Sequence, residues 1–287
     1  MAGMTARTGY APVNGLRMYF EVHGDGPPVV LIHGALGTID VWGSLLGALA
    51  RRRQVIAVEL QGHGHTADVD RPLSYEGLAD DVAAVLDHLG IAQADVIGHS
   101  MGGDAAIRMA ARHPARVRRL VAISAKFRHD GEYPEVLAGL DALTPELLAG
   151  TPFEAWYMRS APHPGAFPAL VRAVRAFLAR DFTWTAAELQ AITAPTLVVI
   201  GDADTVRPEH AVELFRLLGG GTPADVAGGL PACRLAILPG TTHLTIIGER
   251  SDRLLPLIEE FLDAPLDGPD GSVPGDANGP ALRGRSE

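Results

Sequence analysis

Six residues near the middle of the chain carry the strongest chemical signal: Gly98-His99-Ser100-Met101-Gly102-Gly103. Ala94-Asp95-Val96-Ile97 before them is short, apolar and β-branched, and reads as a buried strand. Asp104 to Arg112 after them is rich in helix formers. A serine between such a strand and such a helix has the order of a nucleophile elbow. Ser100 then sits at the strand tip in a strained backbone conformation, with its hydroxyl projected out of the sheet. Gly98 and Gly102, two residues before and two after, let strand and helix close together. The first amides of the new helix face whatever the serine attacks.

A serine hydroxyl needs a base to take its proton, and the base needs a third group to fix its tautomer. His243 ends Gly240-Thr241-Thr242-His243, and two carboxylates lie in Gly201-Asp202-Ala203-Asp204. By position alone either Asp202 or Asp204 could reach His243. His33-Gly34-Ala35-Leu36-Gly37 and Gly62-His63-Gly64 are further Gly-rich signals that follow apolar runs. In an open parallel sheet, sites collect beyond the C-terminal ends of the strands.

The elements that must position these residues follow from hydrophobic patterning. Leu16 to His23 partly alternates, as a half-exposed antiparallel strand does. Continuous apolar runs at 29–32, 54–58, 94–97, 120–123 and 195–200, and a last one at 234–238, mark buried strands. Between them, 41–49, the stretch after the N-cap Ser74, 104–112 and 208–218 carry helical spacing, and a closing helix spans about 252–262 with Leu254, Leu255, Ile258 and Leu262 inward. Gly90 and Pro114 stop two of these helices. Such alternation predicts an α/β fold, a mostly parallel, doubly wound sheet.

The alternation lapses from 126 to 190. Helix starts cluster there at Thr144-Pro145, at Thr151-Pro152-Phe153-Glu154 (read as a capping box) and at Pro168. Nine of the chain's sixteen Phe, Trp and Tyr residues fall in this stretch. It reads as a helical insertion over the sheet's C-terminal edge, with about half of those aromatics lining a pocket. The expected division is a core at 1–125 and 191–263, a helical cap at 126–190, and a Pro-, Gly- and Asp-rich tail at 264–287 expected to be disordered.

Composition narrows the class. At 287 residues the chain can bury a full core, and a net charge of −10 argues against a nucleic-acid surface. No run approaches the roughly 18 apolar residues of a membrane span. The first nine residues lack a secretory h-region, and Cys233 is the single cysteine, so an internal disulfide is excluded and the cytoplasm is expected. Cys233 reads as core filler at a strand start. No His, Cys or carboxylate cluster has metal spacing. A small-molecule substrate is expected, with no nucleic acid, membrane, metal or organic cofactor; the sequence is silent on oligomeric state.

Taken in order, these motifs resemble the serine hydrolases of the α/β-hydrolase fold from about Gly9 to Asp263. Two local departures are Glu59-Leu60-Gln61, where Asp-Leu-Arg is common, and Thr241-Thr242-His243, where Gly-x-Gly-His is common. The resemblance implies that Ser100 attacks an acyl carbon, that His243 takes and returns the proton, and that Asp204, fourth in Gly-x-x-Asp, orients it. Asp202 is then left to cap its turn through backbone amides. The N–H groups of Ala35 and Met101 form the implied oxyanion hole. His33 and Gly34 support that loop, as Gly98 and Gly102 support the elbow. His99 is expected to pack and hydrogen-bond, His63 and His65 to be turn residues. Leu36, Trp156 and Tyr157 are the candidate substrate contacts. The activity implied is esterase-like cleavage of a small to medium, largely apolar carboxylic ester through an acyl-enzyme. Lactonase, carbon–carbon bond hydrolase, perhydrolase and acyltransferase chemistry share the same residues, and a hydrolase-like ligand receptor is the rival of a different class.

Overall fold

A computed structural model describes residues 6–227 and 231–265. Most of the expected tail, from 266 onward, lies outside the described residues. Eight strands form one sheet in the order β1-β2-β4-β3-β5-β6-β7-β8. They are β1 (Arg7–Val13), β2 (Leu16–His23), β3 (Pro28–Ile32), β4 (Gln54–Val58), β5 (Ala94–His99), β6 (Val117–Ile123), β7 (Thr196–Ala203) and β8 (Cys233–Thr242). β1/β2 and β2/β4 pair antiparallel, and the other neighbours are parallel. The sequence reading assigns no strand before Leu16. β1 exists because Asn14-Gly15, with φ of 46° and 82°, makes the tight hairpin turn that pairs it with β2.

Alternate residues of each central strand enter different cores. Val96, Leu120, Ala122 and Val198 face one side; Ile97, Val121, Ile123 and Val199 face the other. The first side is covered by α2 (Tyr75–His88) and α3 (Met101–Arg112), the second by α1 (Gly43–Leu49) and the C-terminal helix at Ser251–Asp263. Ser74 caps α2 by accepting from the Gly77 N–H, and Gly90 ends the run at φ 70°. Ile32 pairs with Gly98, His99 with Ile123, and Ile123 with Val199, so the strands that carry polar tips end at one level.

Between β6 and β7 lie α4 (Pro134–Gly139), α5 (Pro145–Leu148), α6 (Pro152–Ser160), α7 (Phe167–Leu178) and α8 (Ala186–Gln190). The predicted capping box at Thr151 and Glu154 does not form. Thr151 instead donates to the Leu148 carbonyl, and Glu154 reaches past the turn to accept from the Gly150 N–H. The box occurs at Thr185 and Glu188, opening α8. Tyr75 of α2 packs against Phe177, Phe182 and Trp184, joining the helical segment to the sheet's helices. Beyond β7 come α9 (Pro208–Leu217), α10 (Ala224–Ala227) and, after β8, α11 (Ser251–Asp263). β7 and β8 run on past their expected ends through Gly201 and Gly240, because they stay paired, with an irregular register, up to Ala203 and Thr242. In α11 Leu255 is only half-buried, and Phe261 is the additional core contact. Cys233 is buried at the start of β8, where desolvation pushes its thiol up to about 12.

Candidate active site

Ser100 sits at the junction of β5 and α3 with φ 56° and ψ −128°. Such a conformation is unfavourable for a residue with a side chain and persists only where its surroundings enforce it. The enforcement is visible here. A Cβ on Gly98 would stand 2.2 Å from the Gly102 carbonyl oxygen, and one on Gly102 would stand 2.3 Å from that of Ile32. The Ser100 N–H donates to Ile123 of β6 at 2.9 Å, which pins the elbow to the next strand.

His243 follows β8 and meets Ser100 with its Nε2 2.9 Å from Oγ. Its Nδ1 lies 2.7 Å from Asp204 Oδ1 and 2.9 Å from Thr205 Oγ1. The Asp204 side chain is fully shielded from solvent. Burial alone raises its pKa, but the bond to His243, the Ser124 hydroxyl and the Gly201 N–H outweigh burial and hold it at about 2. Asp202 takes a different partner. Its Oδ1 accepts from the Thr241 N–H at 3.1 Å, so it ties β7 to β8 rather than capping its own turn.

The loop after β3 is held by two buried histidines. His33 Nε2 accepts from the Leu60 N–H at 3.1 Å, and its Nδ1–H donates to the Gly34 carbonyl. His63, expected as a turn residue, is fully buried. Its Nε2 accepts from the Leu36 N–H at 3.1 Å while its Nδ1–H donates to the Gln61 carbonyl. Desolvation lowers the first to about 3 and the second to about 4, so both rings are neutral acceptors. Leu36 itself adopts φ 60°. Ala35 lies between these two anchored residues, and Met101 is the first residue of α3, whose amide has no partner within the helix. His65 packs face to face on Tyr19 at 4.1 Å and binds the buried Glu59. His99 donates from Nε2 to the His243 carbonyl at 2.8 Å and is lowered to about 3 by burial, so it supports the histidine loop as an uncharged ring.

Ser100 and His243 open into a cavity of about 630 Å³. Its walls are largely apolar: Leu36 and Val41 from the loop after β3, Phe153 and Trp156 from α6, Leu244 and Ile247 beyond β8. Tyr157 does not reach it. Its ring is buried against Phe167, 5.3 Å between centroids, within the helical segment. Helix geometry explains the error, since adjacent residues point about 100° apart whereas i and i+3 share a face. Phe153, three residues before Trp156 and 5.6 Å from it, is the partner that this spacing could have supplied. Of the nine aromatics of the segment, Phe153 and Trp156 line the cavity, while Phe127, Tyr157, Phe167, Phe177 and Trp184 are buried in packing.

Three polar residues went unread in the sequence. Ser124, at φ 50°, donates to Asp204 Oδ2 at 2.5 Å; Thr205 touches His243; and Glu132 lines the cavity. All three lie on loops whose approach depends on how the strands are ordered. Among the described residues, no group of three or more His, Cys, Asp or Glu could hold a metal ion, and no helix is long and apolar enough to cross a membrane.

A strained serine on a strand–helix turn, beneath a helical segment and at one end of a mostly parallel sheet, is the arrangement of the α/β-hydrolase fold. Residues 27–155 match the family model described as alpha/beta hydrolase fold. A non-heme haloperoxidase of Rhodococcus erythropolis is 30% identical over 267 residues, covering 80% of this chain and 90% of that protein. The chain belongs to the α/β-hydrolase family. A dihydrolipoyllysine-residue acetyltransferase component of an acetoin cleaving system from Pseudomonas putida is 38% identical over 140 residues, 46% of this chain. The chain spans only 38% of that protein's length. Among solved structures, the enol-lactonase of Burkholderia xenovorans LB400 is similar, with a TM-score of 0.69, 25% identity, and coverage of 88% of this chain and 99% of the other.

Proposed function

We propose that this hydrolase-fold protein cleaves small to medium, largely apolar carboxylic esters through an acyl-enzyme. The observation that carries the proposal is the continuous hydrogen-bonded line from Ser100 Oγ through His243 to Asp204, at 2.9 and 2.7 Å, on the floor of an apolar cavity. In this reading Asp204 fixes the tautomer with hydrogen on Nδ1, leaving Nε2 free to take the Ser100 proton. Oγ adds to the ester carbonyl carbon. The oxyanion collects between the Ala35 and Met101 N–H groups, each worth roughly 3–4 kcal/mol in the barrier. Collapse breaks the bond to the alcohol, which leaves with the proton from His243. Water then repeats the sequence on the acyl-enzyme and frees the acid and Ser100. His63 acts through the loop by holding the Leu36 amide. The helices between β6 and β7 serve as the cap that supplies the wall of Phe153 and Trp156.

The test is a hydrolysis screen over p-nitrophenyl esters of graded acyl length with Ser100→Ala alongside. The variant is expected to lose about 10⁴–10⁶ in kcat while still binding the ester. Turnover retained in Ser100→Ala would remove the serine from the mechanism. A second reading, lactone opening, is favoured by the likeness to the enol-lactonase and uses the same acyl step. A lactone in the screen separates the two.

A further inference from the structure

We infer that Glu132 makes the cavity select uncharged or cationic ligands and reject carboxylates, a specificity that rests on the esterase reading of the site. Glu132 lines the same cavity as Ser100 and His243, and its side chain is 14% exposed. It is held there from two sides. Its Oε2 binds the Lys126 ammonium at 2.9 Å, and its Oε1 accepts from Thr205 Oγ1 at 3.4 Å, the hydroxyl that also touches His243. Lys126 itself stands behind the wall, 7% exposed, with a second carboxylate, Asp104, at 3.6 Å. Two acids thus share one base, and the member of this set that meets the cavity is the acid. Glu249 adds a second carboxylate to the lining, and among the described residues no Lys or Arg lines the cavity.

Beyond the N–H groups assigned to the oxyanion at the Ser100 end, the remaining walls supply no cationic side chain to neutralise an incoming carboxylate, and Phe153 and Trp156 are aromatic rings of the kind that attract cations. A buried Glu132 whose only task is to balance Lys126 would not need to face the cavity. A substrate carboxylate placed in this space meets a fixed negative charge at low dielectric, where like-charge repulsion of several ångström range lowers affinity by an order of magnitude or more.

Titration calorimetry with octanamide, octanoate and octylammonium tests this directly and does not depend on turnover. In the wild-type protein octanamide is expected to bind about 30-fold tighter than octanoate, and octylammonium no more weakly than octanamide. In Glu132→Gln, whose amide oxygen can still accept from Lys126, the amide-to-carboxylate ratio should fall below about 3-fold. Equal binding of octanoate and octanamide by the wild type overturns the inference, and so does a ratio unchanged in Glu132→Gln. If that variant does not fold, the wild-type ranking alone decides. The same ligands rank independently of hydrolysis. A protein that discriminates among them but cleaves no ester therefore refutes the proposed reaction and leaves Glu132's role standing.

Discussion

Asp202, near the end of β7, and Asp204, just beyond it, stand two residues apart and do different work. The Asp204 carboxylate is enclosed, accepts from Ser124, Gly201 and Val206, and faces His243; Asp202 is solvent-exposed and bound to the Thr241 amide. Strand alternation is not the cause, because it would point residues i and i+2 the same way; β7 ends at Ala203, before Asp204. The register irregularity between Gly201 and Ala203 turns Asp204 inward. Asp204→Asn is expected to cost about 10³–10⁴ in kcat, the scale of losing the orienting carboxylate, and Asp202→Asn under about 10-fold. Steady-state kinetics on the same ester checks both. The reverse order would transfer the orienting role to Asp202.

At the scale of elements, α6 divides its aromatics between two tasks. Trp156 and Phe153 share the cavity face, and Tyr157 points into the packing against Phe167. Trp156→Ala is expected to change the kcat/KM ratio between short and long esters by roughly 10-fold or more, since pocket methylenes are worth about 1–3 kcal/mol. Tyr157→Ala should leave that ratio within about 3-fold and lower the melting temperature instead, by removing a buried ring. Kinetics over the ester series, with thermal unfolding of each variant, reads both. A large preference change in Tyr157→Ala would place its ring at the substrate after all.

The whole molecule carries an acid sensitivity built from its buried histidines. His33, His99 and His210 are lowered to about 3 and His63 to about 4, each chiefly by desolvation. In the unfolded chain a histidine binds its proton near pH 6.5. Between that value and the folded pKa the unfolded state therefore holds more protons, and stability is lost as pH falls. At pH 5 each of these rings costs on the order of 2 kcal/mol. Opposing them, burial raises three carboxyls, Glu59, Asp95 and Asp104, the last to about 6, so their contributions weaken as pH rises through the acid range. The four rings lose stability over the whole interval below pH 6.5, whereas Asp104 regains it only below about 6, and the melting temperature is expected to fall steadily from pH 7 to pH 5. A flat profile over that range, read by differential scanning calorimetry, would show that these rings titrate normally in the folded state.

The sequence by itself determined what local physics decides. Short apolar strands bounded by polar turns read as a parallel sheet, and Gly98-x-Ser100-x-Gly102 between strand and helix located the elbow, because both signals are confined to a few adjacent residues. The pairing of Ser100 with His243 and of His243 with Asp204 was legible only through motif order and a family resemblance, since the partners lie 143 and 39 residues apart. Tertiary structure alone decided what depends on strand order and helix rotation. It made His63, which does sit in the turn after β4, the buried acceptor for the Leu36 amide, and brought Ser124 from the end of β6 to Asp204. It sent Trp156 to the cavity and Tyr157 to the core, and set Glu132 in the wall with Lys126 behind it. The physical reason is the same each time. A side chain's partner is chosen by which faces meet across distant segments, and a linear pattern records a residue's own face but not what stands opposite.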